Sequence, residues 1–200
     1  MTRFLFIRHA TNDTVGKRIA GRMAGVHLNE EGKAQAELLA DRLKTTSINA
    51  IYSSPLERAV ETAAPLAQRL HLEIIQATDF LELEYGDWTN GTINDIKAQM
   101  QFQRYNVFRS GTRIPGGETM LEAQLRMIAG LEKLCLQHPQ QTVAIVSHGD
   151  MIKAAVTFYA GIHLDLFQRI EISPASVSIV DVFEETARIL LVNDTGRLPV

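Results

Sequence analysis

The chain has 200 residues, of which 46% are hydrophobic and 22% charged, and its 20 Lys and Arg against 23 Asp and Glu leave a formal charge of −3. A length of this order suggests one domain that buries its own core without metal or disulfide staples. The mildly acidic balance argues against a bulk electrostatic nucleic-acid binder, and a single cysteine, Cys135, leaves no internal disulfide framework and no cysteine-rich metal site.

The first segment, Phe4-Leu5-Phe6-Ile7, is wholly apolar, like a strand buried on both faces. It is too short for a signal segment or a membrane span, so the expected compartment is the cytoplasm, with neither membrane nor nucleic acid among the partners. Residues 30–44 show a helical pattern through Leu38, Leu39 and Leu43, with Glu30 and Glu31 in a first turn that suits the helix dipole. A second strand is predicted at Ile48–Ser53. The sequence Ser54-Pro55-Leu56-Glu57 reads as a helix start with Ser54 as N-cap and Pro55 in the first turn. That helix continues through Val60, Ala63, Ala67 and Leu70. Glu73–Ala77 reads as a third strand.

Residues 86–117 are less regular and hold five glycines, and a flap of about this extent with some helix inside it is expected. Gly117-Glu118 is expected to open a long helix carrying Leu121, Leu125, Ile128 and Leu131. Thr142–Ser147 reads as a strand and Met151–Ala160 as a helix. Val177–Val182 and Ile189–Val192 read as two closing strands joined through Glu184-Glu185. There is no repeat or linker. Alternating strands and helices predict one α/β domain over residues 1–200: a three-layer sandwich whose mostly parallel central sheet has helices on both faces and a small inserted flap.

In such folds ligands bind beyond the carboxyl ends of the strands. Strand one ends in Arg8-His9-Ala10-Thr11-Asn12, strand two leads to Arg58, the Thr142 strand ends in His148-Gly149-Asp150, and Glu82 follows strand three. Arginine matches phosphate oxygens bidentately, a neutral imidazole can attack phosphorus, and a carboxylic acid can protonate a leaving oxygen and then deprotonate water. Taken singly, each residue has an ordinary explanation: a structural histidine, a surface arginine on a helix, a solvated acidic loop around Glu82, Glu84 and Asp87. Their joint placement points to phosphoryl transfer without a metal or other cofactor.

The motifs Ile7-Arg8-His9-Ala10, Leu28 to Gly32, Tyr52 to Thr62, Leu81 to Trp88, Gly116 to Thr119 and Val146 to Gly149 follow one another between Phe4 and about Asn193. With them the chain resembles the histidine phosphatase superfamily, in its phosphoglycerate-mutase-like branch. The resemblance implies a phosphatase acting on a small phosphorylated metabolite through a phosphohistidine on His9. It further implies that Arg8, Arg58 and His148 form a cationic pocket and that Glu82 is the general acid and base, with Glu84 as the rival for that role. Gly21, Arg22 and Gly149 are carried as substrate- or phosphate-binding residues. Two positions depart from the family pattern. Val15 stands where the family has a phosphate-contacting Asn, with Asn12 as the expected replacement, and Ala20 stands where the family has Gln.

Other readings remain. A mutase of the same family uses the same chemistry with a different acceptor, although the glycolytic mutases are longer in the flap region. A non-catalytic phosphate-binding module would keep the pocket without turnover. A serine hydrolase is disfavoured because Ile145 occupies the first glycine position of the nucleophile elbow. A metallophosphoesterase would need more clustered ligands than six scattered histidines provide. Lys17, Arg18, Arg22, Arg104, Arg109 and Arg113 are candidates for holding a second anionic group of the substrate. Tyr85 and Trp88 are candidates for lining the pocket. A homodimer is left open.

Overall fold

A computed structural model of the chain describes residues 1–196, so the last four residues of the expected domain lie outside the described residues. The first strand, β1 (Thr2–Arg8), is followed by helix α1 (Glu30–Leu43), strand β2 (Ala50–Ser53), helix α2 (Glu57–Leu70) and strand β3 (Ile74–Gln76). Two short helices, α3 (Ile93–Lys97) and α4 (Met100–Val107), precede the long helix α5 (Met120–Gln137). Strand β4 (Thr142–Ser147), helix α6 (Gly149–Ala160), and strands β5 (Val177–Val182) and β6 (Ala187–Asp194) complete the order.

The six strands form one sheet in the order β3-β2-β4-β1-β5-β6. The pairs β1–β4, β2–β4 and β2–β3 are parallel, whereas β5 runs antiparallel to both β1 and β6. The sheet is therefore mostly parallel with an antiparallel edge, and helices cover both faces. Side chains alternate across a strand, and the core divides accordingly. Phe4, Phe6 and Ile145 pack with Met127, Leu131 and Ile152 of α5 and α6. Leu5, Ile7 and Val146 pack with Leu39, Ala63 and Leu66 of α1 and α2. Strands buried on both faces explain why β1 and β4 read as continuous apolar runs.

Three local expectations are corrected. Helix α2 starts at Glu57 with Leu56 at its cap and no side-chain cap bond. Ser54 does not cap it because its hydroxyl meets the His148 ring instead. The buried stripe of α2 runs through Ala59, Ala63, Leu66 and Ala67 rather than Val60. In α5, Leu121 and Leu125 are exposed. The buried face there is Met120, Ala123, Met127, Ile128, Leu131 and Leu134, the side that packs on the core shared with Phe4, Phe6 and Ile152; a Thr119–Glu122 capping box starts the helix two residues after Gly117-Glu118.

Within 86–117, Trp88, Ile96, Tyr105 and Ile114 are buried in the same core cluster as the α5 and α6 side chains. Trp88 is thus a core residue, not a pocket wall. Among the described residues no helix is long and apolar enough to cross a membrane.

Candidate active site

The parallel register brings three strand exits together. Arg8 of β1 lies opposite Ser147 of β4, the His9 amide donates to Ser147 O at 2.8 Å, and the Ser54 amide donates to Val146 O at 2.9 Å. His9 and His148 consequently leave the sheet side by side, their ring centroids 5.2 Å apart in an edge-on arrangement. Arg58, in the first turn of α2, is 1% exposed. Its Nη2 donates to Gly21 O at 2.7 Å and to His148 Nδ1 at 3.3 Å. Gly21 holds φ +51°, a left-handed conformation that costs glycine least, and this turns its carbonyl toward Arg58.

Arg8, His9, Asn12, Arg58 and Glu82 line one cavity of about 250 Å3, together with Gly21, Gly149 and Asp150. Four buried nitrogens of three of these residues have no protein partner: Arg8 Nε, Arg58 Nε, Arg58 Nη1 and Asn12 Nδ2. Leaving a buried donor unsatisfied costs about 1–3 kcal/mol, so four around one cavity mark a place built for a ligand rich in acceptors. Asn12 is oriented by its own turn, since its Oδ1 accepts from the Thr14 amide at 3.0 Å and the Thr14 hydroxyl at 2.6 Å. Its amide nitrogen is thereby left over.

The histidine tautomers follow from their partners. His9 Nδ1 donates to Ala10 O at 2.8 Å, so Nε2 is the basic nitrogen of the neutral ring. Burial, followed by the charges of Arg58 and Arg8, pushes His9 down to about 3, and the ring is unprotonated at neutral pH. His148 is fully buried. Its Nδ1 accepts from Arg58, so Nε2 carries the hydrogen and donates to Ser54 Oγ at 2.8 Å. Burial first, then Arg58, His9 and Arg8, hold His148 well below the ordinary histidine range. The sequence reading puts His148 in the cationic pocket, as a donor once protonated; by itself the ring is held neutral, and an added anion shifts the balance of charge toward the protonated form.

Glu82 Oε1 accepts from the Leu83 amide at 2.9 Å, and Oε2 lies 3.9 Å from His148 Nδ1. Burial and the neighbouring Asp150 carboxylate raise it to about 7, against the opposing pull of the Leu83 amide, Arg58 and Arg8. Glu84 is elsewhere, 3.4 Å from Arg22 Nη1. The loop that carries Glu82 is clamped from outside. Arg126 Nη1 donates to Asp79 O and Leu81 O at 2.9 Å each. Glu118 Oε1 accepts from Arg126 Nη2 at 2.9 Å, Arg22 Nη2 at 2.7 Å and the Glu84 amide at 2.9 Å.

This clamp corrects the expectation for Arg22. It is not among the residues lining the cavity, because Glu118, Glu84 and Glu82 O (2.8 Å from Arg22 Nε) occupy its guanidinium. Of the other basic candidates, Arg18 does line the cavity. Arg113 pairs with Glu122, Arg104 lies with Arg113 in a separate depression, and Arg109 is buried against Tyr105, Asn106 and Asp150. Tyr85 lines the cavity and donates to Asp150 Oδ2 at 2.5 Å. Gly149 permits a close approach, since a Cβ there would stand 3.3 Å from Arg8 Cζ and Nε.

Sequence reasoning missed Ser54 as the orienter of His148 and Lys153 as a cavity residue. A signal for Lys153 existed: it stands one helical turn after Gly149, on the same face of α6. Among the described residues, no three His, Cys, Asp or Glu side chains gather as a metal site.

Residues 4–195 match the family model described as histidine phosphatase superfamily (branch 1). Phosphoserine phosphatase 1 of Hydrogenobacter thermophilus is 30% identical over 203 residues, covering 99% of this chain and 95% of that protein. A probable phosphoglycerate mutase GpmB of Proteus mirabilis is 31% identical over 186 residues, covering 90% of this chain and 85% of that one. Among solved structures, Bacillus stearothermophilus YhfR superposes with a TM-score of 0.91 at 26% identity, covering 97% of this chain and 98% of that one.

Proposed function

The chain belongs to the histidine phosphatase superfamily, branch 1, and is a phosphomonoesterase; from that premise we propose that it hydrolyses a small phosphorylated metabolite through a phosphohistidine on His9. The observation that carries the residue assignment is the neutral His9 ring, with Nδ1 tied to Ala10 O, in a cavity that holds four buried nitrogens without protein partners. A cavity of about 250 Å3 suits a small ester.

The substrate phosphoryl group docks against Arg8, Arg58 and Asn12. His9 Nε2 attacks phosphorus while the ester P–O bond breaks, and the Glu82 carboxyl gives its proton to the leaving oxygen. Glu82, now a carboxylate, takes a proton from water. The resulting hydroxide displaces His9 from phosphorus, the P–N bond breaks, and phosphate leaves with His9 neutral again. A carboxyl raised to about 7 is matched to this double duty near neutral pH. The developing negative charge on the transferred group is balanced by Arg8 and Arg58, fixed in advance by Ile172 O (2.6 Å from Arg8 Nη1) and Gly21 O. His148 takes up a proton from solvent as that charge arrives and returns it to solvent when phosphate leaves.

The test is phosphate release from p-nitrophenyl phosphate and a panel of phosphorylated metabolites in EDTA, wild type beside His9→Ala. Rapid acid-free quenching and intact mass would show the phosphoenzyme. Release that resists EDTA, with both turnover and phosphoenzyme absent in the variant, is the expected result. If the wild type releases no phosphate but isomerises a phosphoglycerate once primed with a bisphosphate, the mutase reading replaces this one.

A further inference from the structure

The cavity carries more positive charge than one phosphoryl group needs. Besides Arg8 and Arg58, it is lined by Lys153 and Arg18. Lys153 is 8% exposed, an unusual burial for lysine. Among the described residues its Nζ has no hydrogen-bond partner; it forms a long ion pair with Glu171 Oε2 at 3.8 Å, on a side chain 71% exposed, and the Phe167 ring centroid is 5.7 Å away. Lys153 stands one turn beyond Gly149 in α6, and helical side chains lean toward the N-terminus. Its ammonium therefore reaches back toward the end of the helix that opens on the cavity, where the helix dipole also favours an anion.

The acidic side chains lining the cavity are Glu82, raised to about 7 and so partly neutral, and Asp150. Asp150 Oδ2 accepts from Tyr85 and lies 3.5 Å from Arg109 Nη1, so its charge is met from the opposite side. Arg18 Nη1 is engaged by the exposed Asn90 Oδ1 at 2.8 Å. Among the described residues, Lys153 is thus a buried cation of the cavity whose ion pair, with the exposed Glu171, is long at 3.8 Å.

We propose that Lys153 determines specificity by holding a second anionic group of the substrate, a carboxylate or a second phosphate on the alcohol portion of the ester. This rests on the phosphatase reading above. The substrate class is then a small phosphomonoester with two separated anionic ends, and alkyl esters of neutral or cationic alcohols are the poor substrates. Ammonium–carboxylate and ammonium–phosphate pairing are chemically alike here, so the two sources are separated by experiment.

The experiment compares kcat/KM on three esters of similar size: glycerol 3-phosphate with no second anion, 3-phosphoglycerate with a carboxylate, and 2,3-bisphosphoglycerate with both. p-Nitrophenyl phosphate is measured beside them. Wild type is expected to favour an ester with a second anion over glycerol 3-phosphate by at least about tenfold, the discrimination a partly desolvated ion pair supplies. Lys153→Met is expected to erase that ratio chiefly through KM, Lys153→Arg to restore most of it, and Glu171→Gln to retain it. A wild type without the preference overturns the proposal whatever the variants do. So does a Lys153→Met enzyme that loses equally on all esters, or a Glu171→Gln enzyme that reproduces the Lys153→Met pattern, since Lys153 would then be only a structural ion-pair partner. If p-nitrophenyl phosphate is not hydrolysed by wild type, the phosphatase reading itself has failed, an outcome distinct from the other three.

Discussion

Arg58 Nη2 donates to His148 Nδ1 at 3.3 Å, and this fixes the second histidine as a neutral acceptor. Arginine has no acceptor to offer, so the bond and a proton on Nδ1 are mutually exclusive. A phosphoryl dianion that draws the Arg58 guanidinium onto its own oxygens frees His148 Nδ1, so proton uptake at His148 is expected to accompany binding. Calorimetry of vanadate binding at pH 7 to a Glu82→Gln background, in buffers of different ionisation enthalpy, is expected to report close to one proton taken up. Heat independent of the buffer would mean that His148 stays neutral throughout. His148→Ala should lower kcat on the order of 100-fold or more.

Glu82 titrates at about 7 where an ordinary glutamate sits near 4.5. For alkyl phosphates kcat should fall as pH rises through 7, because the acid form is consumed. Glu82→Gln should flatten that limb, slowing alkyl esters far more than p-nitrophenyl phosphate, whose leaving group needs no proton. Equal losses on both would remove Glu82 from the acid role.

The same carboxyl makes a stability prediction. It is harder to ionise folded than unfolded, so between about 4.5 and 7 the folded chain keeps a proton that the unfolded chain has lost. Stability contributed by Glu82 is present at the acid end of that window and declines as pH rises through it. Glu82→Gln is expected to stabilise the fold relative to wild type at pH 8 by up to roughly 3 kcal/mol, seen as a higher Tm, and to leave Tm nearly unchanged at pH 4.5. Thermal melts at the two pH values decide it.

Gly149→Ala places a methyl 3.3 Å from the Arg8 guanidinium. Arginine is flexible enough to give by a few tenths of an ångström, so the fold survives, while the phosphate contact shifts. A loss of roughly tenfold in kcat/KM with Tm within a few degrees of wild type is expected. A variant as active as wild type would show that Arg8 needs no such clearance.

Glu118 receives two guanidinium donors and one amide at a single oxygen. Glu118→Ala leaves Arg22 and Arg126 without their shared carboxylate and frees the loop that carries Glu82. Destabilisation of about 1–3 kcal/mol is expected. The remaining activity should be more impaired on alkyl phosphates than on p-nitrophenyl phosphate, with Glu118→Gln recovering part of it. Loss of stability with no change in that ratio would make the clamp structural alone.

Much of this protein is legible without coordinates because its central strands, β1, β2 and β4, are short and almost wholly buried. Runs such as Phe4–Ile7 and Val143–Val146 can hardly lie anywhere but inside a parallel sheet, and polar residues directly after such runs must emerge at the same edge. That local logic placed Arg8, His9, Arg58, Glu82 and His148 as candidates for one site before any distance was known. Features that depend on which side chains meet across elements were beyond it. Whether Ser54 caps a helix or orients His148, whether Arg22 reaches the cavity or braces the Glu82 loop, and which stripe of α5 is buried all turn on competition between partners far apart in sequence. The neutrality of His148 and the raised Glu82 arise from burial and from charges contributed by other elements, and the loosely paired ammonium of Lys153 from the same tertiary packing. Sequence pattern alone determined the order of elements and the chemistry at the strand exits; tertiary packing decided the protonation states and the destination of each cation, because electrostatic environment is a property of neighbours in space.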